Sequence, residues 1–226
     1  VKSSDGEDIN DSPAVGPIPS IEGAAATDAL TGIKVAYANI HGERQTESLD
    51  VMKILLVKYG ATVTNITNVN QISNYNILWV DEFGTNYTAS EITTIKSWLA
   101  AGSKASPRGI LFHGDQVGAM NLMNAVGATY ANQGGHAGVT TNILPPIKAI
   151  VKKVYFPAPM NSIRGMTWVV KDINNDHTMV GVSIKSGRAA LISDDVLWCS
   201  TDSPTLARDD NAKLGLVIFG WLGWKI

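Results

Sequence analysis

The chain has 226 residues, 45% hydrophobic and 17% charged, with a formal net charge of −2. It can fill one large core, and its surface is carried by Asn, Thr, Ser and Gly more than by ions. With no basic block it lacks the electrostatic footprint of nucleic-acid binding, and with Cys199 as its only cysteine it can form neither an intrachain disulfide nor a cysteine-based metal cluster.

Residues 1–31 stand apart. Pro13, Pro17 and Pro19, the acids Asp5, Glu7, Asp8, Asp11, Glu22 and Asp28, and a single basic side chain, Lys2, leave no helical or strand period. Such a segment buries too little apolar surface to offset its ordering entropy, and an extended acidic tail is expected. Ile9, Val15, Ile18 and Ile21 are spaced apolar anchors among prolines that favour extended backbone. They are expected to serve assembly, docking on the tail's own domain or on a neighbour. The acidic run Asp5 to Asp11 lacks the twelve-residue calcium-loop pattern and reads as solvated. A chain that begins with Val1 leaves processing and trimming equally open; the low charge is a common look for extracellular proteins, and a secreted or cell-surface protein is expected.

From Gly32 onward strand and helix signals alternate, so residues 32–226 are read as one domain. Ile33 to Ala38 reads as a strand. Leu49, Met52, Leu55, Leu56 and Tyr59 recur at helical spacing up to the stop at Gly60. Ala61 to Ile66 is β-branched, and Asn76 to Val80 is a buried strand. Thr88 and Glu91 form a capping-box pair opening a helix through Ile92, Ile95, Trp98 and Leu99, closed by Gly102. Gly109 to Phe112 is the next strand, followed by a helix from Val117 to Val126. Residues 134–177 are less regular, with strands expected at 151–156 and 166–170. Arg188 to Ser193 is a last buried strand and Asn211 to Trp221 a closing helix. This rhythm argues for a three-layer α/β fold on a mainly parallel, flavodoxin-like sheet with an antiparallel extension. No apolar run reaches the roughly 18 residues of a membrane span.

Three stretches carry a resemblance: Ile33 to Ile40 leading into His41-Gly42; Tyr75 to Asp81 followed by Thr88 to Ile92 and Ala101-Gly102; and Gly187 to Asp194 followed by a helix near Asn211. In this order they resemble the class I glutamine amidotransferase-like superfamily, in its extracytoplasmic branches. The resemblance implies a nucleophilic cysteine on a sharp turn after a central strand. Gln116 stands there, in Gly114-Asp115-Gln116-Val117-Gly118, and the family's late His-x-Glu pair is absent because His177 is the last histidine. An amide cannot act as a thiolate nucleophile, so a pseudoenzyme is expected.

Ligands of open parallel sheets bind beyond the carboxyl ends of the strands. Those ends hold His41, Glu43 and Arg44; Asp81 and Glu82; His113, Asp115 and Gln116; and Asp194 and Asp195. If the strands are neighbours, His41, Glu82 and His113 could hold zinc or iron or serve acid–base hydrolysis. The bland alternative is that polar residues end strands everywhere. His136, in Gly134-Gly135-His136-Ala137-Gly138, reads as a flexible loop, and Asp172 to Asp176 as a turn between strands. Asn65 and Asn86 fit the N-glycosylation pattern, and Trp224 is a candidate for interface or sugar stacking. The sequence leaves any cofactor unknown. The expectation is a non-catalytic surface glycoprotein that self-associates through its tail into a ring or filament, or joins other surface proteins. A hydrolase built on the strand-end residues and a sugar- or small-ligand-binding module are the alternatives.

Overall fold

The computed structural model describes residues 29–43, 49–81, 84–114, 119–157, 161–193, 198 and 208–226. The tail anchors Ile9, Val15, Ile18 and Ile21 lie outside the described residues. In chain order the elements are β1 (Lys34–Ala38), α1 (Asp50–Lys58), β2 (Thr62–Ile66), a 3-10 turn (Val69–Asn74), β3 (Ile77–Val80), α2 (Ala89–Ala100), β4 (Gly109–His113) and α3 (Met120–Ala125). There follow β5 (Thr129–Gly134), β6 (Gly138–Thr140), α4 (Pro145–Lys148), β7 (Val154–Phe156), β8 (Asn161–Arg164), β9 (Thr167–Lys171), β10 (Thr178–Ser183), β11 (Arg188–Ile192) and α5 (Asn211–Leu222).

The central sheet has seven strands in the order β2-β1-β3-β4-β11-β10-β9. The first five are parallel, and β10 and β9 extend the sheet antiparallel. Numbered among the parallel strands alone, the order is 2-1-3-4-5, the flavodoxin-like arrangement. Two short antiparallel ribbons, β5 with β8 and β6 with β7, lie outside the main sheet.

Strand periodicity divides the core in two. Val35, Tyr37, Ile77, Trp79, Leu111, Ala190 and Ile192 face one side, where Met52 and Leu56 of α1 and Leu214, Ile218 and Phe219 of α5 pack on them. Ala36, Ala38, Leu78, Val80, Ile110, Phe112, Ala189 and Leu191 face the other side, against Ile95, Trp98 and Leu99 of α2 and Leu122 and Met123 of α3. Burial on both faces is why β3 and β4 are uninterrupted apolar runs. Each fully buried large side chain in these layers stabilises the fold by about 1.5–3 kcal/mol. Helix α5 is buried from Leu214 to Leu222 because Ile143, Ile147, Val151, Val154 and Phe156 join the same core. Leu30 is also part of that core, and its N–H donates to Tyr59 O at 2.8 Å.

The capping box at α2 is present in both directions: Thr88 Oγ1 accepts from Glu91 N and Glu91 Oε2 accepts from Thr88 N. The helices read through Leu49 to Tyr59, from the Thr88–Glu91 capping box, and over Asn211 to Trp221 are found as α1, α2 and α5; of the helix expected over Val117 to Val126, Met120–Ala125 is helical and residues 117–118 lie outside the described residues. Over 134–177 the structure corrects the reading. The strand expected at 151–156 is only Val154–Phe156, and the one expected at 166–170 runs Thr167–Lys171. Strands β5, β6, β8 and β10 gave no readable period. They span three to six residues, and the β5–β8 and β9–β10 pairings contain register shifts that break the alternation.

Candidate functional site

The topological switch point lies between β1 and β3. Asp81 follows β3 directly, Tyr37 lies in β1, and His113 ends β4. The Tyr37 hydroxyl donates to Asp81 Oδ2 at 2.5 Å, and His113 Nδ1 stands 3.1 Å from Asp81 Oδ1. All three side chains are buried. Burial, reinforced by the Asp81 charge, pushes the Tyr37 hydroxyl far above its ordinary value, so it remains a donor. The His113 ring stacks on Trp198 with centroids 4.8 Å apart and planes 9° apart, and meets the Trp79 indole edge-on at 6.0 Å. Its Nε2 is buried without a hydrogen-bond partner among the described residues. In the tautomer whose Nδ1–H donates to Asp81, Nε2 is the acceptor atom of the ring.

A second carboxylate is engaged just beyond β1. Buried Glu43 accepts from Ile40 N at 2.7 Å, His41 N at 2.8 Å and the Tyr87 hydroxyl at 2.5 Å. Gly42, at φ +82°, makes the turn that brings Glu43 back over these donors. Burial, then the Glu43 charge, raises the Tyr87 hydroxyl far above its usual value. His41 does not join His113. Its Nε2 lies 3.0 Å from Glu91 Oε2, and its ring packs edge-on against Tyr87 at 4.6 Å. Slight burial pushes the Glu91 carboxyl up, but hydrogen bonds from Thr88 and then His41 outweigh it and leave it lowered. The loops after β1 and before α2 are thus tied together, and Asn121 of α3 grips Tyr87 through both its backbone N–H and its carbonyl.

Strands β1, β3 and β4 are neighbours, as the candidate cluster required, but His41 and His113 engage different carboxylates. Glu82, Asp115, Gln116 and Asp194 lie outside the described residues, as do Arg44, Asp195 and Cys199. Sequence reasoning missed Tyr37 and Trp198. Tyr37 reads as one more apolar strand residue, and nothing local links Trp198 to a histidine 85 positions earlier. Both sequon asparagines are exposed: Asn65 sits on the edge strand β2, and Asn86 accepts from Asn121 N at 3.3 Å. One face of Trp224 is covered by the Arg188 guanidinium at 3.9 Å. His136 is not a plain loop residue, because its side chain and its backbone N–H both bond to Asp172. The turn expected at 172–176 does connect β9 to β10.

Among the described residues, the strand ends present two oriented carboxylates, Asp81 and Glu43, bonded to tyrosine, histidine and backbone groups. No family model matches this chain, and no curated protein matches it by sequence. Several solved structures are similar in fold. The N-terminal domain of mmIFT52 aligns with a TM-score of 0.65 at 13% identity, over 84% of this chain and 97% of that domain. An exo-β-1,4-mannosidase from Opitutaceae bacterium strain TAV5 aligns with a TM-score of 0.52 at 13% identity, over 82% of this chain and 35% of the enzyme. A GMP synthase-like protein from Thermoplasma acidophilum gives a TM-score of 0.49 at 10% identity, over 84% of this chain and 94% of that one. The first two share with this chain an α/β fold.

Proposed function

We propose that this chain is a non-catalytic surface domain on an amidotransferase-like scaffold, secreted or exposed at the cell surface, that self-associates through its N-terminal segment. The observation that carries the reading is the inward engagement of the strand-end acids. Asp81 and Glu43, at the carboxyl ends of strands where open α/β sheets bind ligands, are buried and bonded to Tyr37, His113 and Tyr87. Gln116 at the nucleophile position of the resembled family points the same way, and the asparagines Asn65 and Asn86 are exposed enough to carry sugar. Light scattering on the full chain and on a chain lacking residues 1–28 tests the assembly role; Leu30 is retained because it belongs to the core. The full chain is expected to grow in mass with concentration and the shortened chain to stay near monomer. Equal masses at every concentration would sink the proposal.

One observation favours a second reading, a hydrolase. The Asp81–His113 pair has the orientation of a carboxylate-steered general base, with Nε2 unpartnered among the described residues. That reading requires turnover of an ester, peptide or glycoside substrate that disappears in His113→Phe.

A further inference from the structure

Two pieces of chain far apart in sequence bring four metal-ligating side chains to one point on the antiparallel side of the sheet. His136 lies in the connection between β5 and β6; Asp172, Asp176 and His177 lie in the turn between β9 and β10. His136 Nδ1 stands 2.7 Å from Asp172 Oδ2 and 3.6 Å from Asp176 Oδ1. His177 Nδ1 stands 3.3 Å and 2.8 Å from the same two oxygens. One donor atom from each of the four residues falls within 4.8 Å of all the others. Donors bound at about 2.0–2.2 Å around a tetrahedral zinc ion are themselves about 3.3–3.6 Å apart, so small side-chain rotations suffice.

The surroundings hold this arrangement in place. Asp172 Oδ1 accepts from the backbone N–H of Asp176 at 3.2 Å and of His177 at 3.3 Å, which orients the carboxylate. Its carbonyl accepts from Asn142 Nδ2 at 2.7 Å and Thr140 Oγ1 at 3.1 Å. Such outer partners are what fix the ligands of established metal centres. At Gly135 a Cβ would lie 2.1 Å from Met179 Sδ, so the connection packs closely against β10 where it carries His136 over the turn, and a larger residue there would require the Met179 side chain to move. Asp172 is fully buried, whereas the side chains of His136 and Asp176 are 46% and 48% exposed. An ion therefore has an open side from which to enter.

We propose that His136, Asp172, Asp176 and His177 form a binding site for one divalent transition-metal ion of the zinc class. Two imidazole nitrogens and two carboxylate oxygens suit zinc, cobalt, nickel or copper, whereas calcium and magnesium favour oxygen-only shells. The ion would staple the β5–β6 connection to the β9–β10 hairpin at the sheet's antiparallel edge. The site is independent of the assembly reading.

The untagged full chain, stripped with chelator and dialysed, is titrated with Zn²⁺ by calorimetry, and its melting temperature is followed with Zn²⁺, Ca²⁺ and Mg²⁺ in parallel. One Zn²⁺ per chain is expected, with a rise in melting temperature for Zn²⁺ alone. Binding should weaken by about tenfold or more in His136→Ala and in Asp176→Asn. The zinc-free melting curve of each variant reports its folding separately. Absence of saturable binding overturns the proposal, as does binding that both variants leave unchanged.

Discussion

Replacing Glu43 with Ala removes one acceptor from three donors. The Ile40 and His41 amides are in a part-buried loop where water can substitute. The Tyr87 hydroxyl is not, because that residue is 2% exposed. A hydrogen bond to a charged group is worth about 1.5–3 kcal/mol, and an orphaned buried hydroxyl costs about 1–3 kcal/mol. Glu43→Ala should therefore destabilise by about 3–4 kcal/mol and Tyr87→Phe by about 1.5–2 kcal/mol. In the double variant no hydroxyl is left to orphan, so the total should fall below the Glu43→Ala value, to about 2–3 kcal/mol, a coupling of about 2.5–3 kcal/mol. For a domain of this size each kcal/mol moves the melting temperature by about 2–4 °C, so the Glu43→Ala melt falls by about 6–16 °C. Urea denaturation of all four proteins, followed by tryptophan fluorescence and circular dichroism, measures the cycle. Strict additivity, with coupling under about 0.5 kcal/mol, would mean that Tyr87 and Glu43 do not share a bond.

Gly187→Ala should cost about 3–5 kcal/mol, because Gly187 sits at φ +112° and a Cβ there would lie 2.6 Å from Leu99 Cγ and 2.7 Å from Leu99 O. Gly127→Ala, also at positive φ but with Lys185 Cδ no closer than 3.6 Å to the added Cβ, should cost only about 1–2 kcal/mol. Equal melting temperatures for the two variants would refute the close approach of α2 to the start of β11. At Asp210, partial burial pushes the carboxyl up, but hydrogen bonds from Lys213 Nζ and from the backbone N–H groups of Lys152 and Lys153 outweigh it and hold the group below the ordinary carboxylate value. A lowered folded-state value contributes stability that is present above the unfolded value of about 3.9 and is lost as pH falls through the folded one. Asp210→Asn should thus cost about 1–2 kcal/mol at neutral pH, with the gap to the unsubstituted chain closing below about pH 4. A gap that stays constant down to pH 2 in denaturation curves would count against the Lys213 and backbone pairing.

The sequence alone determined what depends on neighbours along the chain. Thr88 and Glu91 are three residues apart, so the capping box and the start of α2 were legible. The alternation of strand and helix fixed the hand of the crossovers and hence a parallel sheet, and the uninterrupted apolar runs marked β3, β4 and β11 as central strands. It could not decide which polar side chains meet. Tyr37 with Asp81 and Glu43 with Tyr87 are each separated by 44 residues, and His136 with Asp172 by 36. His41 and His113 were placed together on strand adjacency, yet adjacency does not set side-chain direction: His113 turns inward onto Trp198 while His41 turns to the N-terminus of α2. Strands β5, β6 and β8 escaped for a related reason. Strands of three to six residues with shifted register carry too few alternations to be read, and their pairing is fixed by contacts across the fold and not by periods within the segment.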